Sequence, residues 1–260
     1  MKDPTHSPKL VDLWRKRLWP GAAVLALAGA LIWLWVWAPA HDPASAPSAP
    51  QQVGQAATPP GDAPAPPRAQ FGDELASADA RQIASWALHS GDNQNRAVVV
   101  VDKKDAKVYV FRRDGELQGA TPALMGSAIG DHSVPGVGDK PVAQVLPEER
   151  TTPAGRFIAE VGLNANGEDV VWVDYDAAVS MHRVRANVKA ERRLERLASS
   201  TAADNRISFG CINLPVSFYE KVLSPLVRGT GAVVYVLPET QPAAALFGAY
   251  DVPGIAKPAR

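Results

Sequence analysis

The sequence predicts an α+β domain with a mostly β core and flanking helices, carried behind one membrane-spanning helix. Short apolar runs rich in β-branched residues recur from residue 97 to 237, and such runs form strands. Two amphipathic segments interrupt them. Ahead of the domain, residues 18–40 hold no charged residue, and a Pro/Ala-rich stretch follows to residue 72.

Residues 1–17 carry Lys9, Arg15, Lys16 and Arg17, whereas no Lys or Arg follows the apolar run until Arg68. That asymmetry places the N-terminus in the cytoplasm and the rest outside it. The run 18–40 is long enough for a bilayer, which needs about 20 residues. Trp19 stands near one edge of it and Trp33, Trp35 and Trp37 near the other, as at membrane interfaces. A cleavable signal peptide is the rival, but its apolar region runs only about 7–15 residues. Residues 41–72 read as a spacer, with too few large apolar side chains to fold.

The catalytic domain is expected over 73–240. It opens with a helix at 73–90, stopped near Gly91. Strands are expected at Ala97–Val101, Lys107–Phe111, Arg156–Gly162, Asp169–Tyr175, Ala178–His182 and Ala232–Leu237, with Asp114-Gly115 as a tight turn. Helices are expected at Asn187–Ser199, with a thin apolar side, and at Pro215–Leu226, with Pro at its first position. Residues 241–260 read as a tail.

Composition narrows the function. Twenty-seven basic and 27 acidic residues give no net charge, which argues against a nucleic-acid partner. The chain has one cysteine, Cys211. In an exported protein a leftover cysteine suggests intermolecular pairing or a reactive thiol, against the alternative of a buried, inert one. No Cys/His spacing suits a metal, and no cofactor is expected. A nucleophilic thiol needs a base. Of the five histidines, His6 precedes the span and His41 lies in the spacer. His89 ends the first helix, His132 sits in a Gly-rich loop, and His182 ends an expected strand, a rigid platform for a base.

The stretch Arg206–Pro215, RISFGCINLP, contains Ser208, Gly210, Cys211, Ile212 and Asn213 in an order that resembles the active-site motif of the L,D-transpeptidases (YkuD-type catalytic domain). His182 matches that motif's upstream histidine. Thr151–Phe157 resembles the family's TPxGxF turn, and the stretch from Val98 to Glu116 its first hairpin. Two departures stand out. Phe209 occupies the place where relatives carry a second histidine. The interval from His182 to Cys211 is also about ten residues longer than usual, the excess falling in 187–199, which could be a lid, a partner surface or a solvated insertion.

The resemblance implies an L,D-transpeptidase-like β-sandwich acting on peptidoglycan stem peptides. Cys211 would be the nucleophile and His182 the base, its ring oriented by the Arg183 carbonyl. The N–H groups of Gly210 and Cys211 would form the oxyanion hole, with Ser208 in support. Asn213 and Phe209 would meet substrate. The acceptor would be a second stem or a wall-attached protein. A hydrolase or carboxypeptidase of the same fold, an inactive wall-binding module and a general cysteine protease are the alternatives.

Overall fold

The computed structural model describes residues 66–254. The expected membrane span, the cytoplasmic N-terminus and most of the spacer lie outside the described residues. Among the described residues no helix is long and apolar enough to cross a membrane.

The elements run α1 (Ala78–His89), β1 (Ala97–Asp102), β2 (Lys107–Phe111), β3 (Leu117–Pro122), β4 (Met125–Gly126), β5 (Gly155–Leu163), β6 (Asp169–Asp174), β7 (Val179–Arg183), α2 (Arg193–Ala198), β8 (Arg206–Ser208) and β9 (Ile212–Leu214). A broken helix, α3, passes from Val216–Phe218 through a π turn at Tyr219–Leu223 to Ser224–Thr230. β10 (Ala232–Val236) and α4 (Ala243–Phe247) follow. The π turn ends at Leu223, two residues before Pro225, which has no N–H to give to a helical bond.

Eight strands form one sheet in the order β3-β2-β1-β10-β5-β6-β7-β9, and β4 and β8 form a small parallel pair. β5 joins the two halves of the sheet. Gly155–Ala159 pairs with β10, and Glu160–Leu163 pairs with β6. The main core lies inside: Val99, Val101, Val234 and Val236 from one half face Ala159, Val171, Met181 and Ile212 from the other, together with Tyr219 and Leu223 of α3. The outer face of β1 and β10 is covered as well, by Ile83, Ala84 and Leu88 of α1. Burial on both faces explains the unbroken apolar run AVVVV, which an exposed face would have interrupted with polar residues.

Both domain edges differ from the expectation. Phe71, assigned to the spacer, is 5 % exposed and packs edge-on against Tyr109 and Phe111. Gln70 N–H donates to Gly115 O at 2.9 Å in the β2–β3 turn. There Gly115, at φ +92°, leaves room for Arg68 that a Cβ would fill. One aromatic side chain thus anchors a segment whose Pro/Ala composition resembles a free linker. At the other end, Ala243 and Val252 are buried and Phe247 packs on Tyr235. Residues 241–254 therefore complete the core rather than trailing from it.

The helix expected over Asn187–Ser199 is also corrected. A 3-10 turn at Lys189–Glu191 ends at Arg192, which is left-handed at φ +49°, and only Arg193–Ala198 is α-helical. Val188 and Leu194 stay exposed, and Leu197 alone is buried, against Leu124, Val184 and Ile207. A helix this short with one apolar anchor gains too little to extend.

Candidate active site

β7 and β9 run parallel, with Met181 opposite Ile212 and His182 opposite Asn213. Met181 and Ile212 point into the core. Alternation along each strand turns Ser180, His182, Cys211 and Asn213 to the other face. The Ser180 Oγ to Cys211 Sγ separation of 3.8 Å agrees with that placement.

Cys211 is half-buried at the mouth of β9. Its thiol points at the Ala178 carbonyl, 3.5 Å away. Ala178 is left-handed at φ +54°, a conformation that costs a non-glycine residue roughly 1 kcal/mol or more. The His182 ring lies with Nδ1 2.8 Å from the Arg183 carbonyl oxygen. A carbonyl can only accept, so Nδ1 carries the proton and Nε2 is the acceptor of the neutral ring. Burial alone would raise the thiol pKa, but His182 and the amide and hydroxyl of Ser180 overrule it and the net shift is downward. Burial would likewise depress His182, yet the adjoining Cys211 sulfur carries it upward. The shifts are opposite in direction, as expected where the charged form of each group stabilises that of the other.

The loop before Cys211 is tied from two sides. Ser208 Oγ donates to Cys211 O at 2.6 Å and accepts the Gly210 N–H at 3.1 Å. Thr152 Oγ1 donates to Gly210 O at 2.7 Å and accepts the Gly126 N–H at 2.9 Å. Gly210 stands at φ +126°, and a Cβ there would meet Thr151 O at 2.9 Å. Gly210→Ala is therefore expected to cost roughly 1–3 kcal/mol and to slow thiol alkylation. A lowered denaturation midpoint together with a slower iodoacetamide reaction would register both.

Two expected roles are corrected. The Gly210 N–H, expected in an oxyanion hole, is already taken by Ser208. Asn213, expected to meet substrate, is 1 % exposed. Its Nδ2 donates to Cys211 O at 3.1 Å, and its Oδ1 accepts from Arg193 Nη1 at 2.7 Å. It is an internal tie. Phe209, in contrast, is 38 % exposed, with the Arg150 guanidinium 4.0 Å over its ring. The Arg183 side chain turns away from the thiol to Asp169 and Glu220.

Sequence reasoning missed Ser180, Thr152 and Arg193. Ser180 stands two residues before His182, so strand periodicity would have put it on the histidine's face. Thr152 lay within the TPxGxF resemblance but had no assigned partner. Arg193 had no local signal, because its contact to Asn213 spans the insertion. Through that contact the insertion reaches the site, and its positive charge opposes protonation of His182. Among the described residues no cluster of His, Cys, Asp or Glu could hold a metal ion.

No protein-family model matches the chain, and no curated protein matches it. Solved structures do. The catalytic domain of an Enterococcus faecium L,D-transpeptidase is similar at 19 % identity and a TM-score of 0.32, over 55 % of this chain and 98 % of that one. A Mycobacterium tuberculosis L,D-transpeptidase is similar at 17 % identity and a TM-score of 0.33, over 54 % of this chain and 57 % of that one. The helical cell shape determining protein Pgp2 of Campylobacter jejuni is similar at 15 % identity and a TM-score of 0.37, over 65 % and 58 %. The chain spans 58 % of an L,D-transpeptidase solved with imipenem.

Proposed function

We propose that this protein is a cysteine-dependent L,D-transpeptidase that acts on peptidoglycan stem peptides. In this reading one helix over residues 18–40 anchors it in the cytoplasmic membrane, with the catalytic domain in the periplasm. The observation that carries the reading is the Cys211–His182 pair, with His182 on β7, Cys211 directly before the neighbouring β9, and the imidazole Nδ1 held at the Arg183 carbonyl so that Nε2 is left as the acceptor of the neutral ring.

The Cys211 thiolate attacks the carbonyl carbon of the third stem residue. A C–S bond forms, and the Cys211 N–H supports the negative oxygen, since the Gly210 N–H is engaged elsewhere. The C–N bond to the terminal D-alanine breaks, and imidazolium His182 gives its proton to the departing amine. An amine of a second stem or of a wall-attached protein then attacks the thioester. Neutral His182 takes the excess proton and the thiolate is restored. Water in place of the amine makes the same site a carboxypeptidase. Phe209, 38 % exposed two residues before Cys211 and with Arg150 over its ring, is read here as a substrate contact.

The test is acylation of the full-length chain by a carbapenem, followed by intact mass. An adduct of one drug molecule on Cys211, absent from Cys211→Ala, is the expected result; no adduct means the thiol is no such nucleophile. Digestion of tetrapeptide-rich wall then separates outcomes. New 3–3 cross-links mark transfer, tripeptides alone mark hydrolysis, and no product marks an inactive binding module.

A further inference from the structure

The sheet face that carries Cys211 also carries an aromatic pair. Trp172 on β6 is opposite Ser180 on β7 and opposite Glu160 on β5. Directly opposed residues of antiparallel strands share a face. A single row thus crosses the sheet from Glu160 through Trp172 and Ser180 to Cys211. Tyr175, just past the end of β6, folds back on Trp172, with ring centroids 4.7 Å apart and planes 24° from parallel. Gly162 makes room beneath, where a Cβ would meet Trp172 Cδ1 at 2.8 Å. Tyr175 nevertheless remains 59 % exposed. The charge of Glu160 reaches it, acting with burial to raise the phenol pKa.

We propose that the Trp172–Tyr175 stack with Glu160 is a saccharide subsite, taking the amino sugar from which the stem peptide hangs. This rests on the transpeptidase reading above. An open aromatic face attracts the electropositive C–H face of a pyranose ring, and a neighbouring carboxylate accepts from its hydroxyl and amide groups. The same carboxylate repels phosphate, which disfavours a nucleotide as the ring ligand.

Direction and distance agree with the assignment. β9 ends the eight-stranded sheet, and its far side is closed by Leu124, which exchanges backbone hydrogen bonds with Asn213. An extended ligand at Cys211 therefore runs over β7 toward β6 and β5. Two inter-strand steps, about 10 Å, separate the sulfur from the Trp172 position. Three extended residues also span about 10 Å, the length of stem between the attacked carbonyl and the sugar.

The direct test uses the full-length chain and a soluble tetramer of β-1,4-linked N-acetylglucosamine, with binding followed by calorimetry. Wild type should bind, Trp172→Ala and Tyr175→Ala should each weaken binding by about tenfold or more, and Glu160→Gln less so. Tyr175 is exposed, so Tyr175→Ala serves even if Trp172→Ala fails to fold. No binding by wild type, or binding unchanged in Tyr175→Ala, overturns the subsite. A second arm compares a disaccharide-tetrapeptide with the free tetrapeptide. Wild type should show the lower KM for the former, and Tyr175→Ala should erase that preference while leaving kcat on the free peptide unchanged. Tyr175-dependent binding in a protein that turns over neither substrate supports the subsite and refutes the transferase reading. Turnover with no preference for the disaccharide refutes the subsite alone.

Discussion

Replacing His182 with glutamine is expected to slow iodoacetamide alkylation of Cys211 near pH 7 by at least about tenfold, one unit of pKa being one decade of thiolate. Burial pushes the thiol up, and His182 is the largest influence pulling it down. Without the imidazole, burial prevails and the alkylation midpoint moves to higher pH. In the wild type, thiol and imidazole titrate as a pair. The acid limb of activity follows protonation of the thiolate and should lie below the ordinary cysteine range. The alkaline limb follows loss of the His182 proton and should lie above the ordinary histidine range. Arg193 opposes that proton, so Arg193→Met is expected to move the alkaline limb upward. Alkylation that is unchanged in His182→Gln would mean that the two side chains do not act together. Transfer by that variant should fall further than alkylation, because the leaving amine also loses its acid.

How much of this was legible in the sequence depends on how local each signal is. The runs AVVVV and KVYVF read as strands because β-branched and aromatic residues dominate them, and β1 and β2 stand where those runs are. The β5 strand is equally legible, but its exchange of partners at Ala159 and Glu160 is not, because that depends on β10 arriving from far along the chain. Phe71 was lost in a Pro/Ala-rich context, and its partners Tyr109 and Phe111 are remote in sequence. At the site, the placement of His182 beside Cys211 follows from strand pairing that only the fold reveals. Asn213 was misread for a related reason. A polar residue beside a reactive cysteine reads as a substrate contact, and only the fold shows both its polar ends occupied internally. The row Glu160–Trp172–Ser180–Cys211 joins four segments and has no linear signature.

Replacing Lys103 with methionine is expected to cost roughly 3–5 kcal/mol of stability, the usual result of removing one partner of a buried ion pair. Lys103 is 1 % exposed. Its Nζ lies 3.0 Å from Asp131 Oδ1, 3.0 Å from Thr152 O and 3.5 Å from Glu239 Oε2. Burial lowers the lysine pKa, so its charged form is held against a desolvation cost by these partners. Burial alone would raise Asp131, but the Thr240 hydroxyl, the Glu239 and Thr240 amides and Lys103 overrule it and hold it well below the usual carboxylate range. A depressed carboxylate contributes stability that is full well above its unfolded pKa of about 3.9 and disappears as pH falls through the folded value. Acid titration of the wild type should therefore show loss of stability below about pH 4, and Asp131→Asn should flatten it. In Lys103→Met the Asp131 charge remains buried with one partner gone, so the denaturation midpoint should fall with little change in slope. The double variant Lys103→Met/Asp131→Asn should recover part of the loss, because no uncompensated charge remains between those two positions. The loss should also reach the sulfur. Lys103 holds the Thr152 carbonyl, and Thr152 Oγ1 holds the Gly210 carbonyl. Alkylation of Cys211 in the folded double variant should accordingly stay slower than in wild type even where stability is recovered. Equal rates would confine Lys103 to holding the fold, with no influence on the nucleophile loop.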